Sequence, residues 1–92
     1  MTDTFAVIDT ETNWEDQVMS IGIVVADSQT MKKIDSRYYI ISPEYQAGGL
    51  YENELRLDDK EAHVTDRTQA LSELKQWLDT YQVQKLFAYN AA

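Results

Sequence analysis

The sequence predicts an α/β domain in which a mixed sheet of strand order 3-2-1-4 is backed by one helix. Two observations carry this. The first is a series of three apolar segments, rich in β-branched and aromatic residues and joined by short polar turns, which implies an antiparallel meander. The second is a segment of helical period followed by one more apolar run. A helix between two strands is the crossover that brings the last strand parallel to the first, and such crossovers are right-handed almost without exception.

The first strand is placed at Phe5 to Ile8, apolar at every position as expected of a strand in the middle of a sheet. A polar loop, Thr12 to Gln17, leads to a second strand over Val18 to Ala26, with Gly22 at its centre. Asp27-Ser28-Gln29-Thr30 reads as a turn. The third strand, Ile34 to Ile41, stops at Ser42-Pro43 because proline has no N–H for a ladder. From Glu44 to Asp59 no period holds and Gly48-Gly49 breaks any helix, so a surface loop with at most one helical turn is expected. Ala70, Leu71, Leu74, Trp77, Leu78 and Tyr81 then form an apolar stripe about 100° wide, with Thr65 or Asp66 as amino-terminal cap. Lys85 to Tyr89 is the fourth strand, and Asn90-Ala91-Ala92 resembles the start of another helix.

The chemistry concentrates at the end of the first strand, in Ile8-Asp9-Thr10-Glu11-Thr12. Alternation puts Asp9 and Glu11 on one face with Thr10 turned away. No Lys or Arg lies in this segment, and two like charges in one small space are relieved either by a raised pKa or by a bound divalent cation. Hard oxygen donors suit Mg2+ or Mn2+. The same pattern also occurs as a solvated turn at strand ends. The topology favours the site, because parallel strands one and four end on the same edge, where ligands of open α/β sheets gather, so that Asp9, Glu11 and Asn90 converge.

With 92 residues, 43% of them hydrophobic, the chain holds at most one small domain. It has no cysteine, hence no disulfide framework or thiolate metal site, and no signal-peptide pattern or apolar stretch of membrane-spanning length. A cytoplasmic protein with no membrane association is the expectation. A net charge of −8 argues against a stand-alone nucleic-acid binder, since phosphate recognition recruits Lys and Arg. It does not argue against a nuclease, because carboxylates loaded with divalent cations become electropositive.

Three segments in order resemble the DEDD superfamily of 3′-to-5′ exonucleases, which has a ribonuclease H-like fold and includes polymerase proofreading subunits and ribonuclease T. Ile8-Asp9-Thr10-Glu11-Thr12 is similar to the first motif, an Asp-x-Glu on a strand. His63-Val64-Thr65 is similar to the family's His-Gly-Ile-Thr segment with one residue absent. Phe87-Ala88-Tyr89-Asn90-Ala91-Ala92 looks like the start of the second motif, a strand leading to Asn-x-x-Phe-Asp. The resemblance implies that Asp9 and Glu11 are catalytic metal ligands and that the complete family domain holds two Mg2+ or Mn2+ ions for phosphodiester hydrolysis. It implies a single-stranded DNA or RNA 3′ end as substrate. It further implies that residues 1–92 are the amino-terminal part of one exonuclease domain, truncated after the fourth strand, with the other two acidic ligands and the general base lying outside it. The isolated chain is then expected to be inactive.

Thr10, Thr12, Trp14 and Asn90 are the candidate substrate-binding residues. Trp14 sits in the polar loop after the acidic motif, where its ring would either stack on a terminal base or form an ordinary rim. His63 precedes the helix and reads as a structural residue, not the catalytic histidine, while Trp77 and Tyr81 on the apolar stripe read as core. Self-association is expected through an exposed edge at Lys85 to Tyr89. The alternative function is a non-enzymatic α/β interaction module in which the acidic pair is vestigial.

Overall fold

The computed structural model describes residues 3–49, 55 and 61–89, and these described residues form five strands, one α-helix and one 3-10 turn. The strands are β1 (Thr4–Thr12), β2 (Val18–Asp27), β3 (Lys33–Ile41), β4 (Ala62–Thr65) and β5 (Lys85–Tyr89). The helix α1 spans Arg67–Thr80, and the 3-10 turn spans Glu44–Ala47.

The sheet order is β4-β3-β2-β1-β5. The meander β1-β2-β3 is antiparallel, and β5 returns parallel to β1 with Tyr89 beside Asp9. The expected 3-2-1-4 core is therefore present, and the strand at Lys85 to Tyr89 is the fifth in chain order because a strand has been added. Ala62–Thr65 pairs parallel with β3 at the far edge. Four residues with Ala and His among them carry too short an alternation to announce a strand, and the ladder offered by β3 is what draws them in.

One face of the sheet packs against α1. Ala6 from β1, Ile21, Ile23 and Val25 from β2, and Tyr39 and Ile41 from β3 meet Ala70, Leu74 and Trp77 of the helix. Leu78 and Tyr81 pack at its margin, but Leu71, expected on the same stripe, is exposed. The helix begins where the sequence placed it: the Asp66 side chain accepts from Gln69 N at 2.7 Å, satisfying an otherwise orphaned donor. At its other end the Thr4 hydroxyl donates to the Tyr81 carbonyl at 2.9 Å, tying the close of the helix to the start of β1.

A polar anchor lies within this apolar interface. The Asp35 carboxylate accepts from the Tyr81 hydroxyl at 2.7 Å, the Trp77 indole at 3.3 Å and the Ser36 amide at 2.8 Å. The Tyr81 hydrogen bond first, then the Ser36 amide, holds Asp35 below the usual aspartate value, and the same carboxylate raises Tyr81. Trp77 and Tyr81 are thus core residues, as read from the sequence, whose polar tips also fix the helix on β3. Arg37 stacks 5.5 Å from the Trp77 ring centre and donates to the Tyr39 hydroxyl at 3.1 Å.

Candidate metal and nucleic-acid site

The other face of the sheet carries the acidic pair. Asp9 stands on β1 opposite Gly22 of β2 and beside Tyr89 of β5, and Glu11 stands opposite Ser20. Two rises along a strand separate their Cα atoms by about 6.6–7 Å. Asp9 is exposed, whereas Glu11 is half-buried with its Oε2 sealed from solvent. Around Asp9 lies an open groove of about 400 Å³, floored by Val7, Gly22 and Val24 and walled by Lys33 and Tyr38. Gly22 makes the notch: a Cβ there would stand 3.8 Å from the Tyr38 ring and 3.9 Å from the Asp9 carbonyl.

Geometry divides the remaining candidates. Alternation puts Thr10 on the same face of the sheet as Ala6 and Ile8, opposite to that of Asp9 and Glu11. Thr12 is exposed at the end of β1, just past a register shift between Glu11 and Thr12. Trp14 follows in the connecting loop and is 67% exposed. Asn90 lies outside the described residues, and the strand before it ends at Tyr89, which pairs with Asp9. His63 is on β4 with its ring 5.4 Å from that of Tyr39, remote from the acidic pair.

Sequence reasoning missed what stabilises the loop after Glu11. Asn13 is 4% exposed, and its amide spans two segments. Oδ1 accepts from Glu15 N at 2.9 Å and Gln17 N at 3.0 Å. Nδ2 donates to Gln17 Oε1 at 3.1 Å and to the Glu44 carbonyl at 3.0 Å. The Gly48 carbonyl in turn accepts from Trp14 N at 3.0 Å. A lone Asn in a polar loop gives no signal of this, because its one distant partner is a backbone carbonyl.

A divalent cation fits this donor set in part. Asp9 and Glu11 supply hard oxygen ligands on one face, but among the described residues no group of three or more His, Cys, Asp or Glu side chains is placed to hold a metal.

Comparison with solved structures decides the fold. The full-length structure of a 3′-exonuclease superposes with a TM-score of 0.68 at 15% identity, over 97% of this chain and 46% of that one. The chain has a ribonuclease H-like fold. The nuclease domain of 3′hExo, a DEDDh family member bound to rAMP, superposes with a TM-score of 0.66 at 15% identity, over 99% of this chain and 52% of that one. The chain thus spans about half the length of each of these nucleases. No family model and no curated protein matches it in sequence.

Proposed function

We propose that the chain is the amino-terminal part of a metal-dependent 3′-to-5′ exonuclease domain that hydrolyses phosphodiester bonds of DNA or RNA. The observation that carries this reading is the position of Asp9 and Glu11: same face, central strand, beside the carboxyl end of the parallel strand β5, within the nuclease fold. Asp9 and Glu11 would hold Mg2+ or Mn2+ through carboxylate oxygens. When bound, the metal supplies an activated water and stabilises charge on the phosphoryl group. The chain's own contributions are the two carboxylates, the bare backbone at Gly22 beside them, and the exposed Trp14 ring as a platform for a base at the 3′ end. Two ligands are too few for a stable two-metal site, so the isolated 92 residues bind metal weakly and do not turn over. A cytoplasmic location goes with this reading, and among the described residues no helix is long and apolar enough to cross a membrane.

The test has two arms. Manganese-induced paramagnetic broadening should appear at Asp9 and Glu11 and vanish in the Asp9→Asn, Glu11→Gln double variant; equal broadening in both proteins refutes the assignment. With 3′-labelled single-stranded DNA and RNA, the chain should be inactive. A version extended through the next two family motifs should release mononucleotides in an Asp9-dependent way, and a silent extended protein refutes the exonuclease reading.

The exposed β5 edge favours a second reading, an interaction module with an idle acidic pair. All five β5 residues are exposed, among them Phe87 at 54% and Tyr89 at 64%. An apolar edge strand of this kind recruits another chain, and a second copy is the simplest partner. Metal binding lost on removing the pair separates this reading from the first.

A further inference from the structure

We propose that Asn13 and Gly49 form a brace that positions Glu11 and Trp14, so that metal affinity at the acidic pair depends on how the segment 44–49 is seated. The inference rests on the metal reading of Asp9 and Glu11 and adds the residues that set their geometry.

The β1-β2 connection does not need this brace to close. It is a short loop between paired antiparallel strands, and its ends are already fixed by the ladder. Yet the Asn13 amide uses all four of its hydrogen-bonding positions, and one of them reaches 31 residues along the chain to the Glu44 carbonyl. Trp14 N is held separately by Gly48. The segment that follows β3 therefore grips the loop at two consecutive residues, immediately after the strand that carries Glu11.

Gly49 is what permits so close a grip. A Cβ at this position would lie 2.7 Å from the Thr12 carbonyl oxygen, 3.0 Å from the Asn13 Cα and 3.4 Å from the Met19 Cε. The first two are backbone atoms, which cannot rotate aside as a side chain can. Met19 is fully buried and lies at the register shift, where Thr12 pairs with Val18 after Glu11 pairs with Ser20. Any side chain at 49 must displace either segment 44–49 or the end of β1 one residue beyond Glu11. Residues that orient metal ligands without touching the metal commonly change affinity about 10- to 100-fold when altered.

The experiment compares Gly49→Ala and Asn13→Asp with the unaltered chain. Asn13→Asp keeps the Oδ1 acceptor for Glu15 and Gln17 but sets a carboxylate oxygen against the Glu44 carbonyl and Gln17 Oε1. Leu74→Ala, which empties core space under α1 on the opposite face, controls for lost stability. Three readouts are taken: the manganese dissociation constant by paramagnetic broadening, the amide resonance of Glu11 with the indole N–H resonance of Trp14, and the melting temperature. Both brace variants should raise the dissociation constant about 10-fold or more and shift the Glu11 and Trp14 resonances. Leu74→Ala should lower the melting temperature while leaving the dissociation constant within about twofold. Brace variants that melt earlier but bind manganese as the unaltered chain does would overturn the proposal. If the unaltered chain binds no manganese, the metal reading fails and the brace is judged by the resonances alone: shifts at Glu11 and Trp14 uphold it as a positioning device, and unmoved resonances overturn it.

Discussion

Replacing Asp35 with Asn tests whether one carboxylate fixes α1 on the sheet. In the native arrangement Oδ2 accepts from both the Tyr81 hydroxyl and the Trp77 indole, while Oδ1 accepts from Ser36 N. Asparagine offers one acceptor oxygen, so either the Ser36 amide or the Trp77 indole faces an NH2 group. The tyrosine hydroxyl can rotate to accept, but an indole N–H and a backbone N–H cannot. Net hydrogen bonds to charged acceptors contribute about 1.5–3 kcal/mol; discounted for the half-exposed setting of Asp35, the loss should be about 1–2 kcal/mol. For a domain of this size that lowers the melting temperature by roughly 5–15 °C. The pH dependence gives the sharper test. Asp35 is held below its unfolded value, so its stabilisation is fully present above that value, near 3.8, and is lost as pH falls through the folded one. Melting by circular dichroism should therefore show a gap between the two proteins at pH 7 that narrows below about pH 4. A gap independent of pH would mean that shape, not charge, accounts for the change; no gap at pH 7 would refute the anchor.

Gly22→Ala should be neutral or stabilise the chain by up to about 1 kcal/mol in chemical denaturation, because a methyl there meets only ordinary contacts at 3.8 and 3.9 Å. A large loss would show that the notch beside Asp9 is tighter than the geometry indicates. Phe87→Lys should reduce dimers or larger species in sedimentation velocity, and an unaltered chain that is monomeric at high concentration refutes association through β5. Trp14→Ala should weaken binding of a short single-stranded oligonucleotide in manganese by the ~1–3 kcal/mol that a stacked base contributes, measured by fluorescence anisotropy. Unchanged affinity would assign Trp14 to the rim.

Much of the fold was legible because local pattern and tertiary role coincide. The apolar run before Asp9 could only be a central strand, the period of Ala70, Leu74 and Trp77 could only be a helix packed on one side, and the helix between them forced β5 parallel to β1. Two-residue alternation likewise places Asp9 and Glu11 on one face. Leu71 shows where pattern stops: it fits the stripe, yet it is 52% exposed. Tertiary structure alone decided the rest. Strand β4 exists because β3 has an edge to pair with, and Asp35 finds Trp77 and Tyr81 across 42 and 46 residues. Asn13 is likewise fixed by one backbone carbonyl, that of Glu44, 31 residues away. Such partners share no period with the residue they bind, so the pairing is written only in the packing, whereas a strand or helix face repeats along the chain and can be read from it.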